Sequence, residues 1–335
     1  MIDIRNDFYT GKRVLVTGAT GLVGSWLVKG LLEKGAEVAC TVRDEVPSSI
    51  FFTEKLNEKA SIVQARLEEL SDIERAINEY ESEIVFHLGA QTIVGTANRS
   101  PIGTFESNIR GTWNVLEACR LHDKTVKSVV VASSDKAYGD QAVLPYTEST
   151  PLQGKNPYDA SKSCADIIAQ SYGKTYDLPI SISRCGNFFG GGDLNFSRIV
   201  PGTIQSALSG VPPIIRSDGK YVRDYIYVKD ATQAYELLGQ KTYDGKFKGE
   251  AFNFSNETQM TVLEMVEKIL KLMKKEKLRP KIKNEATNEI RDQHLSSKKA
   301  REVLGWKSTW GIDKGLLETI GWYQEYFGKK GRSND

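Results

Sequence analysis

The chain has 335 residues, enough for one large α/β domain or for a nucleotide domain joined to a smaller lobe. An apolar fraction of 40%, a charged fraction of 26% and a formal net charge of +2 are ordinary for a globular protein. They give no reason to expect nucleic acid or an anionic membrane as partner. No apolar run approaches the ~18 residues of a membrane span, and "RVLVTG" near the start is too short and polar for a signal-peptide core, so a cytoplasmic protein is expected.

Along the chain, "KRVLVTG" reads as a strand and "GSWLVKGLLEKG" as a helix stopping at Gly35. "AEVACTV" and "ASIVQARL" are the next strands, and "SDIERAINEY" is a helix with Ser71 as its N-cap. "EIVFHLGA" is the fourth strand, "TFESNIRGTWNVLEACRLH" a long amphipathic helix and "KSVVVASS" the fifth strand. "YDASKSCADIIAQSYGKTYD" and "PISISRCGN" add another helix and strand. Short apolar strands alternating with helices predict a doubly wound parallel sheet covered on both faces. After Asn187 the pattern changes: "FFGGGDLNFSRIVPG" is rich in glycine and polar residues, and "VPPIIRSDGKYVRDYIYVKD" mixes turns with short strands. "TVLEMVEKILKLMKKEK" is a helix whose basic end suits the helix dipole, and the stretch from "SSKKAREVLGW" to "YQEYFG" reads as two short helices before a frayed tail, "KKGRSND". The expectation is a sheet domain of residues 1–187 plus about 226–254, interleaved with a smaller mixed α/β lobe of about 188–225 plus 255–330.

Cys40, Cys119, Cys164 and Cys185 show no CxxC spacing and read as free core thiols; the three histidines, His87, His122 and His294, are too dispersed for a metal cluster. No metal is expected. "VLVTGATGLVGSWL" is more informative. Gly18, Gly21 and Gly24 lie between a strand and a helix, where glycines admit a pyrophosphate and the helix N-terminus supplies N–H donors. The end of the second strand should choose the cofactor, since an acid there bonds a ribose 2′-OH and an arginine suits a 2′-phosphate. "VRDE" offers both, as Arg43 and Asp44, so NAD and NADP stay open.

In "NPYDASKSCAD", Tyr158 and Lys162 are spaced i, i+4 and project from one helix face. A phenol titrates near ~10 and is a poor base at neutral pH. A neighbouring ammonium, or a positively charged nicotinamide, is expected to lower that value, so that tyrosinate can take a proton from a sugar hydroxyl as hydride leaves the same carbon.

Together with "TGATGLVG", "VFHLGAQ", "NIRGTWNVLEACR", "VASSDKAYG", "YTESTPLQGKNPYDASK", "RCGNFFGGGD", "RDYIYVKDA" and "LGWKSTWGIDKGLLETIGWY", this arrangement resembles the extended short-chain dehydrogenase/reductase superfamily, in its NAD-dependent epimerase/dehydratase family, over nearly the whole chain. The resemblance implies a Rossmann-type domain that holds and recycles NAD or NADP, and a C-terminal lobe for a nucleotide-activated hexose. It carries Ser134, Tyr158 and Lys162 into the catalytic Ser/Thr-Tyr-Lys roles. Thr20, Leu22, Val23, Leu67, Leu88 and Ala90 join the glycines, Arg43, Asp44, Tyr158 and Lys162 as cofactor-binding positions. Gln91, Thr92, Asn187, Arg198 and Arg223 become substrate-binding positions, Asn187 for the diphosphate and Arg223 for a phosphate. It also implies a homodimer through a four-helix bundle built from "VLEACRLH" and "CADIIAQSYGKTY". One departure is visible: relatives usually carry an Asp for the adenine where "QARLEEL" has Arg66.

The residues after Ser134 divide the chemistry within that superfamily. 4-Epimerases generally have small uncharged residues there; nucleotide-sugar 4,6-dehydratases have an acid followed by a base. Asp135-Lys136, with "GKNPYDASKSCAD", "HLGAQ" and "GNFFGGGD" followed by "RIVP", is similar to the CDP-glucose 4,6-dehydratase group. The expected reaction turns an NDP-hexose into an NDP-4-keto-6-deoxyhexose, with Asp135 as acid at O6 and Lys136 as base at C5; the plainer reading of Lys136 is a partner for Asp135 or for a phosphate. A 4-epimerase or a GDP-mannose-type dehydratase is the competing reading, and a cofactor-binding regulatory protein without activity is the outside one. Thr92 reads equally as a plain loop residue, and exposed charge is the commoner explanation of Arg198 and Lys220. Trp306 and Trp310 read as packing anchors of the small lobe, and His87 as a satisfied core histidine.

Overall fold

The computed structural model describes residue 5, residues 7–285 and residues 289–332. In chain order the first half contains β1 (Arg13–Thr17), α1 (Leu22–Glu33), β2 (Glu37–Val42), the short α2 (Ile50–Thr53), β3 (Ser61–Gln64), α3 (Leu70–Glu79), β4 (Ile84–His87), α4 (Val94–Arg99), α5 (Pro101–Phe105), α6 (Gly111–Leu121), β5 (Ser128–Ala132), α7 (Pro157–Tyr176) and β6 (Ile180–Cys185). The second half contains β7 (Asn187–Phe189), α8 (Ile199–Leu208), β8 (Ile214–Ile215), β9 (Val222–Tyr227), α9 (Val228–Tyr243), β10 (Glu250–Phe254), β11 (Gln259–Thr261), α10 (Val262–Leu272), β12 (Lys281–Ile282) and α11 (Gly311–Arg332).

Seven parallel strands form the main sheet in the order β3-β2-β1-β4-β5-β6-β10. Strand order reverses between β1 and β4, and an open α/β sheet binds ligands in the crevice at such a point. The period-two geometry of a strand sends alternate side chains to opposite faces. On β1, Val14 and Val16 join Leu27, Leu31 and Leu238 in the core under α1 and α9, whereas Leu15 joins Ile73, Val115 and Ala169 under α3, α6 and α7. Because both faces are covered, the strands read as continuous apolar runs. Strands that follow β6 in the chain also form a smaller sheet, β11-β9-β7, and the two-stranded β12-β8. The sequence therefore predicts this doubly wound sheet with its mixed C-terminal elements correctly.

Several details differ from the sequence reading. Ser71 lies inside α3, whose N-cap position is Glu69 with no side-chain cap bond. The predicted long helix runs as α5 and α6 joined by a π-helical turn at Glu106–Arg110. The two short helices near the C-terminus are one π-helical turn, Ala300–Leu304, and the long α11, which continues through part of the stretch expected to fray; residues 333–335 lie outside the described residues. α8 and α9 go beyond the predicted elements. In α8, Pro201 sits in the first helical turn, where its missing N–H costs nothing. Cys40, Cys119 and Cys185 are buried, but Cys164 is exposed on α7. Trp306 packs edge-on against Phe254 in the main core rather than in the small lobe, whereas Trp310 packs on Tyr227 as expected.

Candidate active site

At the carboxyl edge of the sheet lies a cleft of about 1210 Å³, larger than the ~300–1,000 Å³ that one drug-sized ligand occupies. Its first wall is built to admit backbone-close groups. Gly18 leaves β1 at φ +74°, and a Cβ there would stand 2.7 Å from the Gly89 nitrogen; one on Gly24 would stand 2.1 Å from the Gly18 oxygen. α1 starts without a side-chain cap, so its first-turn N–H groups and positive dipole end are left for a ligand. These features fit a dinucleotide pyrophosphate. Behind them, Thr17 Oγ1 accepts from the Leu88 and Gly89 N–H groups at 3.1 and 3.0 Å. Its own proton is then free for His87 Nδ1 at 2.9 Å, while His87 Nε2 lies 3.0 Å from Thr112 Oγ1, which donates to the Asn108 carbonyl. The ring is therefore neutral with its proton on Nε2. Burial, then the Lys162 charge, lowers its pKa to about 3. His87 is the satisfied core histidine that was expected, and it stiffens the wall.

The second wall carries ionisable groups. After β5 the chain makes a 3₁₀ turn, Asp135–Tyr138, preceded by Ser134, whose Oγ accepts from Lys136 N at 3.2 Å and donates to Asp135 Oδ1 at 3.0 Å. The far end of the turn is clamped. Arg184 forms a bidentate buried pair with Asp166 at 2.8 Å for both bonds and donates to the Tyr138 hydroxyl at 2.9 Å; Ser163 Oγ donates to the Ala137 carbonyl at 2.7 Å. Such charge-assisted forks hold geometry tightly. α7 begins at Pro157, which puts Tyr158 in its first turn and Lys162 one turn later, with Lys162 Nζ donating to the Ala132 carbonyl at 2.8 Å.

Asp135 is 2% exposed and its Oδ2 has no hydrogen-bond partner. Burial raises its pKa, against the lowering pull of Lys136, the Ser134 bond and Arg223. Lys136 moves the other way. Burial and the Arg223 charge lower it, opposed by Asp135, Asp159 and Glu289. Burial thus favours a protonated acid and an uncharged amine side by side. Burial also brings Lys162 down to about 8 and, followed by the Asp135 charge, pushes Tyr158 up, opposed by a hydrogen bond with Ser134. In the protein alone, desolvation of the phenolate therefore sets the direction for Tyr158, and the charge that opposes it is that of Arg198 rather than the expected Lys162.

Nearly all the sequence-derived residues meet here. Gly18, Thr20, Gly21, Leu22, Val23, Gly24, Arg43, Asp44, Leu67, Leu88, Ala90, Thr92, Ser134, Asp135, Lys136, Tyr158, Lys162, Asn187, Arg198 and Arg223 all line the cleft. Gln91 does not: its side-chain carbonyl accepts from Ile93 N at 3.0 Å, and its backbone pairs with Asn108, so it shapes the loop after β4. Lys220 is also away from the cleft. Arg43 Nε donates to Asp44 Oδ2 at 2.6 Å, and Arg198 is tied to Asp193 at 2.8 Å. Arg223 is less free than a dedicated phosphate ligand would be, since it pairs with Glu289 at 3.2 Å and donates to the Val222 and Arg291 carbonyls. Three cleft groups had no sequence signal: Asp159, buried with its pKa raised by burial; Glu289; and Glu68, whose Oε2 is buried without a partner near Leu67. For Asp159 only its place directly after Tyr158 could have hinted at a role.

Comparison with known proteins agrees with this geometry. A CDP-glucose 4,6-dehydratase of Salmonella typhimurium (strain LT2) is 31% identical, with 97% of this chain and 94% of that protein aligned. A dTDP-glucose 4,6-dehydratase of Bacillus anthracis, solved with NAD, superposes with a TM-score of 0.83 at 26% identity, covering 94% of this chain and 97% of that one. A UDP-glucose 4-epimerase of Thermotoga maritima, solved with UDP-glucose, gives a TM-score of 0.85 at 27% identity over 94% of this chain and 99% of its own. Epimerases and dehydratases therefore share this fold. The family model described as GDP-mannose 4,6 dehydratase matches residues 15–319, and the chain belongs to that family.

Proposed function

We propose that the protein is a nucleotide-sugar 4,6-dehydratase that converts CDP-glucose to the CDP-4-keto-6-deoxyhexose, in a cleft between a nucleotide domain (1–187 plus about 226–254) and a sugar-nucleotide lobe (about 188–225 plus 255–330). The observation that carries this reading is the buried Asp135, with an unpartnered Oδ2, beside Lys136 and linked through Ser134 to Tyr158. An epimerase has no need of an acid at O6. The glycine wall and the uncapped α1 would hold NAD or NADP, which would supply a reversible hydride acceptor beside the sugar.

The residues act in sequence. Tyr158, with Ser134 at its hydroxyl, removes the proton of the 4-hydroxyl as the C4–H bond breaks. The positive charge of Lys162 lies in the same wall and favours the tyrosinate. The new 4-ketone acidifies C5–H. Lys136 takes that proton; the C5–H electron pair becomes the C5=C6 bond, the C6–O bond breaks, and the oxygen leaves as water with the proton of Asp135. Lys136 then returns a proton to C5 as C6 is reduced. The cofactor ends as it began, and the net change is loss of water. Arg223 and Asn187 contact the diphosphate, and Thr92 borders the sugar. We further infer a homodimer. Its support is the apolar surface of α5, α6 and α7, where Ile102, Trp113, Leu121, Ile167 and Tyr176 are exposed.

The test is a panel of CDP-glucose, GDP-mannose, dTDP-glucose, UDP-glucose and UDP-N-acetylglucosamine, followed by mass spectrometry in H₂O and D₂O. Loss of water with one deuterium retained at C5, for CDP-glucose above the others, is the expected result. A C4 epimer of unchanged mass would overturn the dehydratase reading, and turnover of a different nucleotide would overturn the substrate.

A further inference from the structure

The Lys136 amine does not meet the carboxylate beside it. Its hydrogen-bond partner is Gln293 Oε1, and among the described residues no carboxylate forms an ion pair with it. Gln293 comes from far along the chain, in a strap of residues 289–297 that crosses from the small lobe to the edge of the 3₁₀ turn. The strap is held on both sides. Val222 N donates to the Arg291 carbonyl at 3.1 Å and Gln293 N to the Val222 carbonyl at 3.2 Å; Leu295 N donates to Asp224 Oδ2 at 3.0 Å. On the other side, Tyr146 N donates to the His294 carbonyl and Ser296 N to the Tyr146 carbonyl, both at 2.9 Å. Gln293 itself is fully buried.

We propose that Gln293 is a positioning residue for proton transfer at the sugar: the strap brings an uncharged acceptor to the Lys136 amine and fixes that amine for work at C5. The inference rests on the reading of Lys136 as the C5 base. A lysine side chain is long and has many rotamers, so a base built on it needs a fixed partner. The identity of the partner then matters. An amide oxygen accepts an N–H from an amine or from an ammonium, and leaves the amine lone pair free. A carboxylate in its place would favour the ammonium, which has no lone pair for the C5 proton. The charged groups facing Lys136 are Asp135 on its own turn, Asp159 on α7, Arg223 on β9 and Glu289 on the strap. Gln293 adds a hydrogen bond to that set without adding charge.

The experiment uses the full chain loaded with NAD, with CDP-glucose as substrate, and compares Gln293→Glu, Gln293→Met and Lys136→Met with the unaltered protein. Two rates are followed in one reaction: formation of reduced nicotinamide, which reports C4 oxidation, and appearance of deuterium at C5, which reports Lys136. The expected result is that both Gln293 variants keep C4 oxidation and lose C5 exchange by about tenfold or more, the scale of one lost hydrogen bond expressed as rate. In Gln293→Glu the acid limb of the dehydration pH profile moves to higher pH, a shift that simple loosening of the fold would not produce. C5 exchange at the unaltered rate in both variants, or loss of C4 oxidation in parallel, overturns the inference. If Lys136→Met keeps C5 exchange, Lys136 is not the base and both readings fall; if Lys136→Met abolishes exchange and the Gln293 variants do not, only the role of Gln293 falls.

Discussion

The two walls of the cleft are built on opposite principles. The part of the cofactor wall that would face the pyrophosphate is made mostly of backbone: Gly18 and Gly24 at contacts where a Cβ cannot fit, an uncapped helix end, and a loop fixed by Thr17 and a neutral His87. The chemical wall crowds Asp135, Lys136, Asp159, Lys162, Arg223 and Glu289 around Tyr158 in a largely buried space. Binding a dinucleotide needs donors in fixed places, which a single strand–turn–helix supplies. Moving three protons at one sugar needs groups whose protonation burial has shifted, and burial requires several elements packed together.

The comparison breaks most sharply at Tyr158. Tyr158→Phe should cut turnover by about 10²–10⁴-fold while leaving cofactor affinity nearly unchanged; stopped-flow absorbance of the reduced nicotinamide and titration of the cofactor check the two halves. Asp135→Asn is expected to cost roughly 10²-fold or more in dehydration and to spare C4 oxidation, so that the reduced cofactor and a 4-ketohexose accumulate together. Equal loss of both steps would remove Asp135 from its assigned place.

A smaller effect should appear on the other wall. Gly18→Ala puts a Cβ 2.7 Å from Gly89 N at a positive φ, a strain of about 1–3 kcal/mol. It should weaken NAD binding about tenfold or more in calorimetry, yet leave the ratio of C4 oxidation to C5 exchange as it was in the loaded enzyme. The last effect concerns the strap and is read in stability rather than in turnover. Asp224 is fully buried, holds Leu295 N, and has its pKa raised from 3.8 to about 7, chiefly by burial. A raised carboxyl binds its proton more tightly in the folded state, so the contribution of Asp224 to stability is largest at acid pH and falls as pH rises from 3.8 towards about 7. The slope from this group is at most about 1.4 kcal/mol per pH unit. Asp224→Asn should flatten that part of the melting-temperature profile; an unchanged profile would show that Asp224 does not titrate there.

Much of this was legible in the residues themselves. The short apolar runs of β1, β4 and β5, alternating with helices, mark a parallel sheet covered on both faces, because burial on both sides leaves no polar alternation along a strand. The glycine pattern around Gly18, the i, i+4 spacing of Tyr158 and Lys162, and Asp135-Lys136 after a strand are local. Tertiary structure alone decided the rest. Gln293 reaches Lys136 across 157 positions of chain, the Arg184–Asp166 fork joins β6 to α7 under the turn, and Gln91 turns from the cleft because Asn108 holds its backbone. The direction of every pKa shift at the site depends on desolvation, and desolvation is a property of packed neighbours rather than of any residue type.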